Sequence, residues 1–189
     1  MSSTKYTNNK ELKEIISSGR VSLLINLLNG SLIALFKDVL LNCPGIFILI
    51  PGFIQLRGSV YSILTSKISS EIALGRIKIR KNKLSDTKPL IKELFKANIT
   101  SIAISTLLGL VSFLLLHCIL KTTYPQIISI AIVGSVISSI TLSILVYLFI
   151  IKVIKKGLDL DIISGPIITS FSDLIGTFCL FITALLFTL

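Results

Sequence analysis

One acidic residue, Asp173, lies inside a long apolar stretch near the end of the chain. An ionisable group in such a stretch is costly in hydrocarbon and is a functional candidate by default. Asp173 follows Ile162 by 11 residues, about 17 Å along a helix and therefore near the middle of a bilayer. The residues that share its helical face are small or carry hydroxyls: Gly165, Thr169, Gly176 and Thr177. Such a face predicts a hydrated path for a cation.

A structural alternative is that Asp173 is protonated, or pairs with a basic residue, and only holds helices together. Arg57 is the one basic residue well inside a predicted span, since Lys37 lies near the end of the first. Its long side chain can also snorkel to the cytoplasmic headgroups, and this is the interpretation we favour. On the same segment, Gln55 and Ser59 are further candidates for lining a pore.

Two more acids, Asp159 and Asp161, precede this stretch, and Gly165 and Pro166 follow them. Backbone opened by these residues could present carbonyl oxygens to an ion. Hard divalent cations prefer oxygen ligands, and Mg²⁺ keeps most of its waters. The alternative is that both acids are solvated and partly neutralise nearby lysines. The three cysteines are scattered, which favours ions that prefer oxygen over ions that prefer thiolate.

The composition requires a membrane protein. The 189 residues are 52% hydrophobic and 15% charged, against about 25% charged in soluble domains. No phosphate-binding loop, HExxH motif or catalytic triad is present, so we do not expect an enzyme.

Gaps between charges predict an all-α fold of five transmembrane helices at 21–41, 44–66, 97–120, 125–151 and 162–189.

The basic residues predict the orientation of these helices. Four of the 19 lie within 1–20, nine within 67–96 and three within 152–156, whereas only Lys37 and Lys121 lie near the other two links. This places 1–20 and the basic loop 67–96 in the cytoplasm and the C-terminus outside, with 21–189 as one transmembrane domain in the cell membrane. The net charge of +10 therefore indicates cytoplasmic loops facing lipid, and no nucleic-acid partner is expected.

Two segments resemble the MgtE family of magnesium channels and transporters. The stretch GLDLDIISGPIITSFSDLIG at 157–176 resembles the family's GLDPD…GP..TT..D..G signature, with Leu160 for the Pro and Ser170 for the second Thr. The pieces PGFIQLRGS at 51–59, SKISS at 66–70 and LGRI at 74–77 are similar to its P…LRGN…SRLST…LGRI stretch. The resemblance covers most of the chain from the first span onward.

The resemblance implies a five-helix unit whose pore centres on Asp173. It further implies that Asp159 lies near the cytoplasmic mouth, and that the Leu158 backbone and the Thr169 side chain lie near hydrated ions. Since the family's pore needs two such units, it implies a partner, either a second copy or a homologous half. The family's cytoplasmic sensor domains do not fit within 1–20, so we expect such sensing to be absent or supplied by another chain.

The function predicted from these observations is transport of a divalent cation, with Mg²⁺ as the transported ion and no cofactor. Two alternatives stay open. The chain could be a non-transporting membrane subunit of a heteromeric complex, or it could transport another cation such as sodium or a transition metal.

Overall fold

A computed structural model of the chain describes residues 2–43, 45–77, 79–80, 83–84, 88–121, 125–156 and 160–188. These residues form six helices and one short hairpin. In chain order the elements are α1 (Ser2–Leu35), α2 (Lys37–Asn42), α3 (Gly45–Ala73), β1 (Ile79–Arg80), β2 (Lys83–Leu84), α4 (Lys88–Leu120), α5 (Gln126–Lys156) and α6 (Leu160–Thr188). The antiparallel strands β1 and β2 lie in the basic segment between α3 and α4.

Five of the described helices contain stretches long and apolar enough to cross a membrane, which confirms the predicted number. The stretches are Leu12–Leu35, Gly45–Ala73, Lys88–Ile119, Gln126–Lys156 and Ile162–Phe187. Lipid offers no hydrogen-bond partners to the backbone. A helix satisfies its own backbone donors and acceptors within the segment that crosses the membrane.

The helices extend beyond the spans predicted from charge gaps. α4 begins nine residues before Ala97, at Lys88, and its first turns carry charged side chains. The Glu93 carboxylate accepts hydrogen bonds from Lys67 of α3 at 2.6 Å and from Lys96 at 2.9 Å. A gap between charges therefore marks the hydrocarbon-spanning part of a helix and not its ends.

The first span differs most from its predicted bounds. Its apolar part starts at Leu12, and the helix ends at Leu35 instead of continuing to residue 41. At the break, the ring of Phe36 stacks on that of Phe181, with 4.8 Å between centroids. Asp38 then lies in the first turn of α2, where a negative charge complements the helix dipole.

α6 is the central helix of the bundle. It packs against α1, α3 and α5, while α4 covers the other side of α3 and α5. Two apolar cores result. One surrounds Phe53 and Phe181, and the other surrounds Tyr61 and Val146, nearer the basic loop. The space between these two cores holds the polar side chains.

Candidate functional site

A belt of buried polar side chains separates the two apolar cores near the middle of the apolar stretches. The belt contains Arg57, which is the only charged side chain among the described residues that is fully buried. The remaining members, each at most 1% exposed, are Ser101, Ser105, Ser135, Ser138, Ser139, Ser172 and Thr177. Unpaired polar atoms are costly in such surroundings, yet within the described residues the hydroxyls of Ser101, Ser105, Ser135 and Ser172 have no hydrogen-bond partner, and neither do Nε and Nη2 of Arg57.

The Arg57 side chain points into the polar belt. Its Nη1 donates a hydrogen bond to Oγ of Ser139 at 2.7 Å, and its Cζ lies 4.7 Å from the ring centroid of Phe53. The predicted snorkelling of Arg57 to the headgroups is therefore wrong. Because α3 continues to Ala73, Arg57 lies near the middle of the helix, and its stem packs on Gly176 of α6.

A hydrogen-bond network beside Arg57 joins three helices. The Tyr61 hydroxyl lies 2.8 Å from Oδ1 of Asn98 and 3.1 Å from the carbonyl oxygen of Ser139. The Ser143 hydroxyl donates to the same Asn98 oxygen at 2.8 Å. Sequence reasoning missed this network, although Arg57 and Tyr61 are four residues apart and therefore share a face of α3.

Asp173 is partly exposed and lies near the middle of Ile162–Phe187. Within the described part of the chain, the structure shows no hydrogen bond or ion pair to its carboxylate, so the alternative pairing with Arg57 is not formed. Instead, Oδ1 lies 3.1 Å from the position that a Cβ atom on Gly58 would occupy. The carboxylate thus rests against bare backbone of α3 and keeps its acceptor sites available.

The two threonines next to Asp173 use their hydroxyl protons within α6. Oγ1 of Thr169 donates to the carbonyl oxygens of Gly165 and Pro166, at 2.8 and 3.0 Å. Oγ1 of Thr177 donates to the carbonyl oxygen of Asp173 at 2.8 Å. A hydroxyl oxygen that donates still has lone pairs to accept with. Thr169 is partly exposed and can offer them to water, whereas Thr177 is buried.

The other predicted pore residues divide into open and covered positions. A Cβ atom on Gly165 would meet nothing within 4 Å, whereas one on Gly176 would lie 3.4 Å from Cγ of Arg57. On α3, Gln55 and Ser59 are exposed and flank Gly58 in sequence, with Gln55 Nε2 3.4 Å from Ser59 Oγ. The open positions are therefore Gly165 on α6 and Gln55 and Ser59 on α3.

The predicted cytoplasmic mouth is described only in part. Leu158 and Asp159 lie outside the described residues, and so does the side chain of Asp161. Pro166 lies inside α6 and has no N–H group, so the Ile162 carbonyl lacks its helical donor. The helix continues through the Gly-Pro pair from Leu160 to Thr188, so opened backbone at this point stays a prediction.

The acidic side chains do not form a metal cage within the described residues, where no three His, Cys, Asp or Glu residues cluster. The unit therefore offers a cation one carboxylate at mid-membrane, together with hydroxyl and carbonyl oxygens. This donor set suits an ion that keeps most of its water.

A family model described as "MgtE: Divalent cation transporter" matches residues 50–183, which is more than half of the chain and includes Arg57, Gly58, Thr169 and Asp173. No curated protein matches the chain.

Proposed function

The chain belongs to the MgtE family of divalent cation transporters, and we propose that it carries Mg²⁺ across the cell membrane through a pore formed by two five-helix units. The family is one of transporters rather than enzymes. Five membrane-length helices and this family membership identify a membrane protein of divalent cation transport.

The observation that supports the proposal most directly is the isolation of the Asp173 carboxylate. It lies near mid-membrane, is partly exposed, and has no hydrogen-bonding or ionic partner within the described residues. A charge in that position is unfavourable unless water and a counter-ion reach it. A passing hydrated cation is such a counter-ion.

Each neighbour of Asp173 has a role in this proposal. Thr169 accepts hydrogen bonds from the waters of the ion, and the missing side chain at Gly165 leaves room for them. Gln55 and Ser59 present polar groups from α3. At the cytoplasmic mouth, Asp159, Asp161 and the Leu158 carbonyl gather cations before they enter. No resident cofactor is needed, because the ion is the cargo.

The second unit, another copy or a homologous half, supplies the opposite wall of the pore. A two-fold axis beside α6 would place a second Asp173 across from the first. Two facing carboxylates attract a divalent ion about twice as strongly as a monovalent one at the same distance, because Coulomb energy scales with ionic charge. Gly176 and Thr177 would then support the pore wall from behind, since both are buried.

Ion flux into reconstituted vesicles tests the proposal, with Mg²⁺, Co²⁺, Zn²⁺ and Na⁺ compared side by side and empty vesicles as the control. We expect Mg²⁺ flux well above Na⁺ flux. No divalent flux, either with the chain alone or with a partner half, would favour the non-transporting subunit. Selective flux of Na⁺ or of a transition metal would favour a transporter for another cation.

A further inference from the structure

A groove of about 560 Å³ opens between α1 and α5, and α6 forms its floor. The floor residues Ile163, Ile167 and Phe171 repeat every four positions and so follow one flank of α6. Thr169 and Asp173 lie on a different flank, which faces Gly58 of α3. The groove is therefore separate from the candidate ion site.

The mouth of the groove is cationic. Lys13 of α1 and Lys152 and Lys156 of α5 line it, together with one acid, Glu14. Three lysines against one glutamate leave an excess of two positive charges. All three lysines are exposed, and no ion pair of theirs is found within the described residues. Their ammonium groups are thus available to an anion.

The interior of the groove is apolar and extends into the membrane. Along α1 it runs from Lys13 to Val21, eight residues or about 12 Å of helix. Apart from Ser17 and Ser18 of α1, the lining beyond the mouth is apolar and consists of Val21, Phe149, Val153, Ile163, Ile167 and Phe171. Half of a bilayer core is about 15 Å thick, so the groove follows most of one leaflet.

We propose that this groove binds an anionic phospholipid, with its phosphate at the three lysines and an acyl chain along α6. The charge of the mouth complements the headgroup, and the apolar interior complements the chain. Basic pockets between transmembrane helices at the cytoplasmic side hold anionic headgroups in the same way. A soluble phosphate would leave the apolar interior unfilled. A second copy docked through the same groove would bring two lysine clusters together across a two-fold axis.

Native mass spectrometry of the full chain in detergent tests the proposal. The protein is titrated with phosphatidylglycerol and, separately, with zwitterionic phosphatidylcholine. The variant Lys13→Gln/Lys152→Gln/Lys156→Gln should bind phosphatidylglycerol at least about tenfold more weakly, because each lysine near a headgroup contributes to affinity. The matched control Lys37→Gln/Lys92→Gln/Lys121→Gln removes the same charge from exposed positions away from the groove and should bind like the parent chain.

A second variant separates the groove from simple charge attraction. Val21→Trp fills the apolar interior and leaves all lysines in place, and Val21 is 40% exposed, so the larger side chain can be accommodated. It should also lower phosphatidylglycerol retention. Equal retention of the two lipids, or equal losses in the groove and control triple variants, would overturn the proposal. Dissociation of an oligomer in the groove variant would assign the groove to a second copy instead.

Discussion

Gly58 and Asp173 meet across the contact between α3 and α6, where a Cβ atom on Gly58 would lie 3.1 Å from Oδ1 of Asp173. An unstrained contact between heavy atoms is about 3.5–4.0 Å, so the carboxylate keeps its position because position 58 has no side chain. Arg57, the preceding residue, turns toward Ser139 instead. Two consecutive residues of α3 thus have different roles. Arg57 places a buried cation in the polar belt, and Gly58 leaves room for the Asp173 carboxylate.

Gly58→Ala should lower Mg²⁺ flux severalfold while the protein stays folded. The added methyl group displaces the carboxylate by a few tenths of an ångström, whereas alanine is preferred over glycine inside a helix by up to about 1 kcal/mol. Flux in vesicles and thermal unfolding in detergent measure the two effects. Gly30→Ala is the matched control, because a Cβ atom there would meet nothing within 4 Å. Identical flux in the two variants would show that the Gly58 contact has no role in transport.

Arg57→Lys should destabilise the protein more than Arg57→Met. Lysine buries a charge that cannot both reach Ser139 and stack on Phe53, and we expect the free energy of unfolding to fall by about 2 kcal/mol or more. Methionine also loses the Ser139 hydrogen bond, but it leaves no buried charge and retains apolar packing on Gly176. Thermal unfolding in detergent measures both changes.

The control for this comparison is Arg76→Lys. Arg76 is exposed and pairs with Glu71 at 2.9 Å, so its replacement should change stability by less than about 0.5 kcal/mol. If Arg57→Lys is as stable as Arg76→Lys, the guanidinium geometry at position 57 does not hold the polar belt together.

The five apolar helices and the candidate Asp173 could be predicted from sequence because each depends on one physical constraint. Bilayer thickness sets the length of an apolar run. A single acid within such a run is a functional candidate because a charge in the bilayer core is energetically costly. Helix ends follow from other interactions. The pairing of Glu93 with Lys67 joins residues 26 positions apart, and no local pattern predicts it.

The burial of Arg57 could not be predicted either, because its hydrogen-bond partner Ser139 is distant in the sequence. The prediction of snorkelling counts 13 residues from Pro44 to Arg57 in a span that ends at residue 66, whereas α3 continues to Ala73. The sequence analysis does not single out Gly58, because the importance of a glycine depends on the residue that packs against it. That residue, Asp173, is 115 positions away in the sequence.

Cysteine accessibility should show segment 67–96 in the cytoplasm and the 121–125 link outside, as the sixteen-to-two split of basic residues predicts. Cys118 is exposed near the end of α4, whereas Cys43 and Cys179 are buried. A membrane-impermeant maleimide should therefore label Cys118 in intact cells. In a Cys118→Ser background, Lys81→Cys should react only after permeabilisation. Labelling of Lys81→Cys in intact cells would reverse the topology.

Mass measurement in mild detergent should show a dimer, or a pair with a homologous half, because one unit supplies one wall of the proposed pore. In a Cys118→Ser background, Ser59→Cys should form an intermolecular disulfide across the two-fold axis. Leu107→Cys is the control, since Leu107 is 62% exposed on α4 and would face lipid. A strictly monomeric protein that still conducts ions would refute the two-unit pore.

Asp173→Asn should lower Mg²⁺ flux by about tenfold or more, because it removes the only charge that the described part of α6 places at mid-membrane. The amide keeps the shape of the side chain, so expression and oligomer size should stay unchanged. Asp38→Asn is the matched control, since Asp38 is exposed in α2, and it should conduct like the parent chain. Asp159→Asn, at the predicted mouth, should have a smaller effect than Asp173→Asn. If Asp173→Asn conducts normally, or if it prevents folding, the carboxylate is structural and the pore assignment fails.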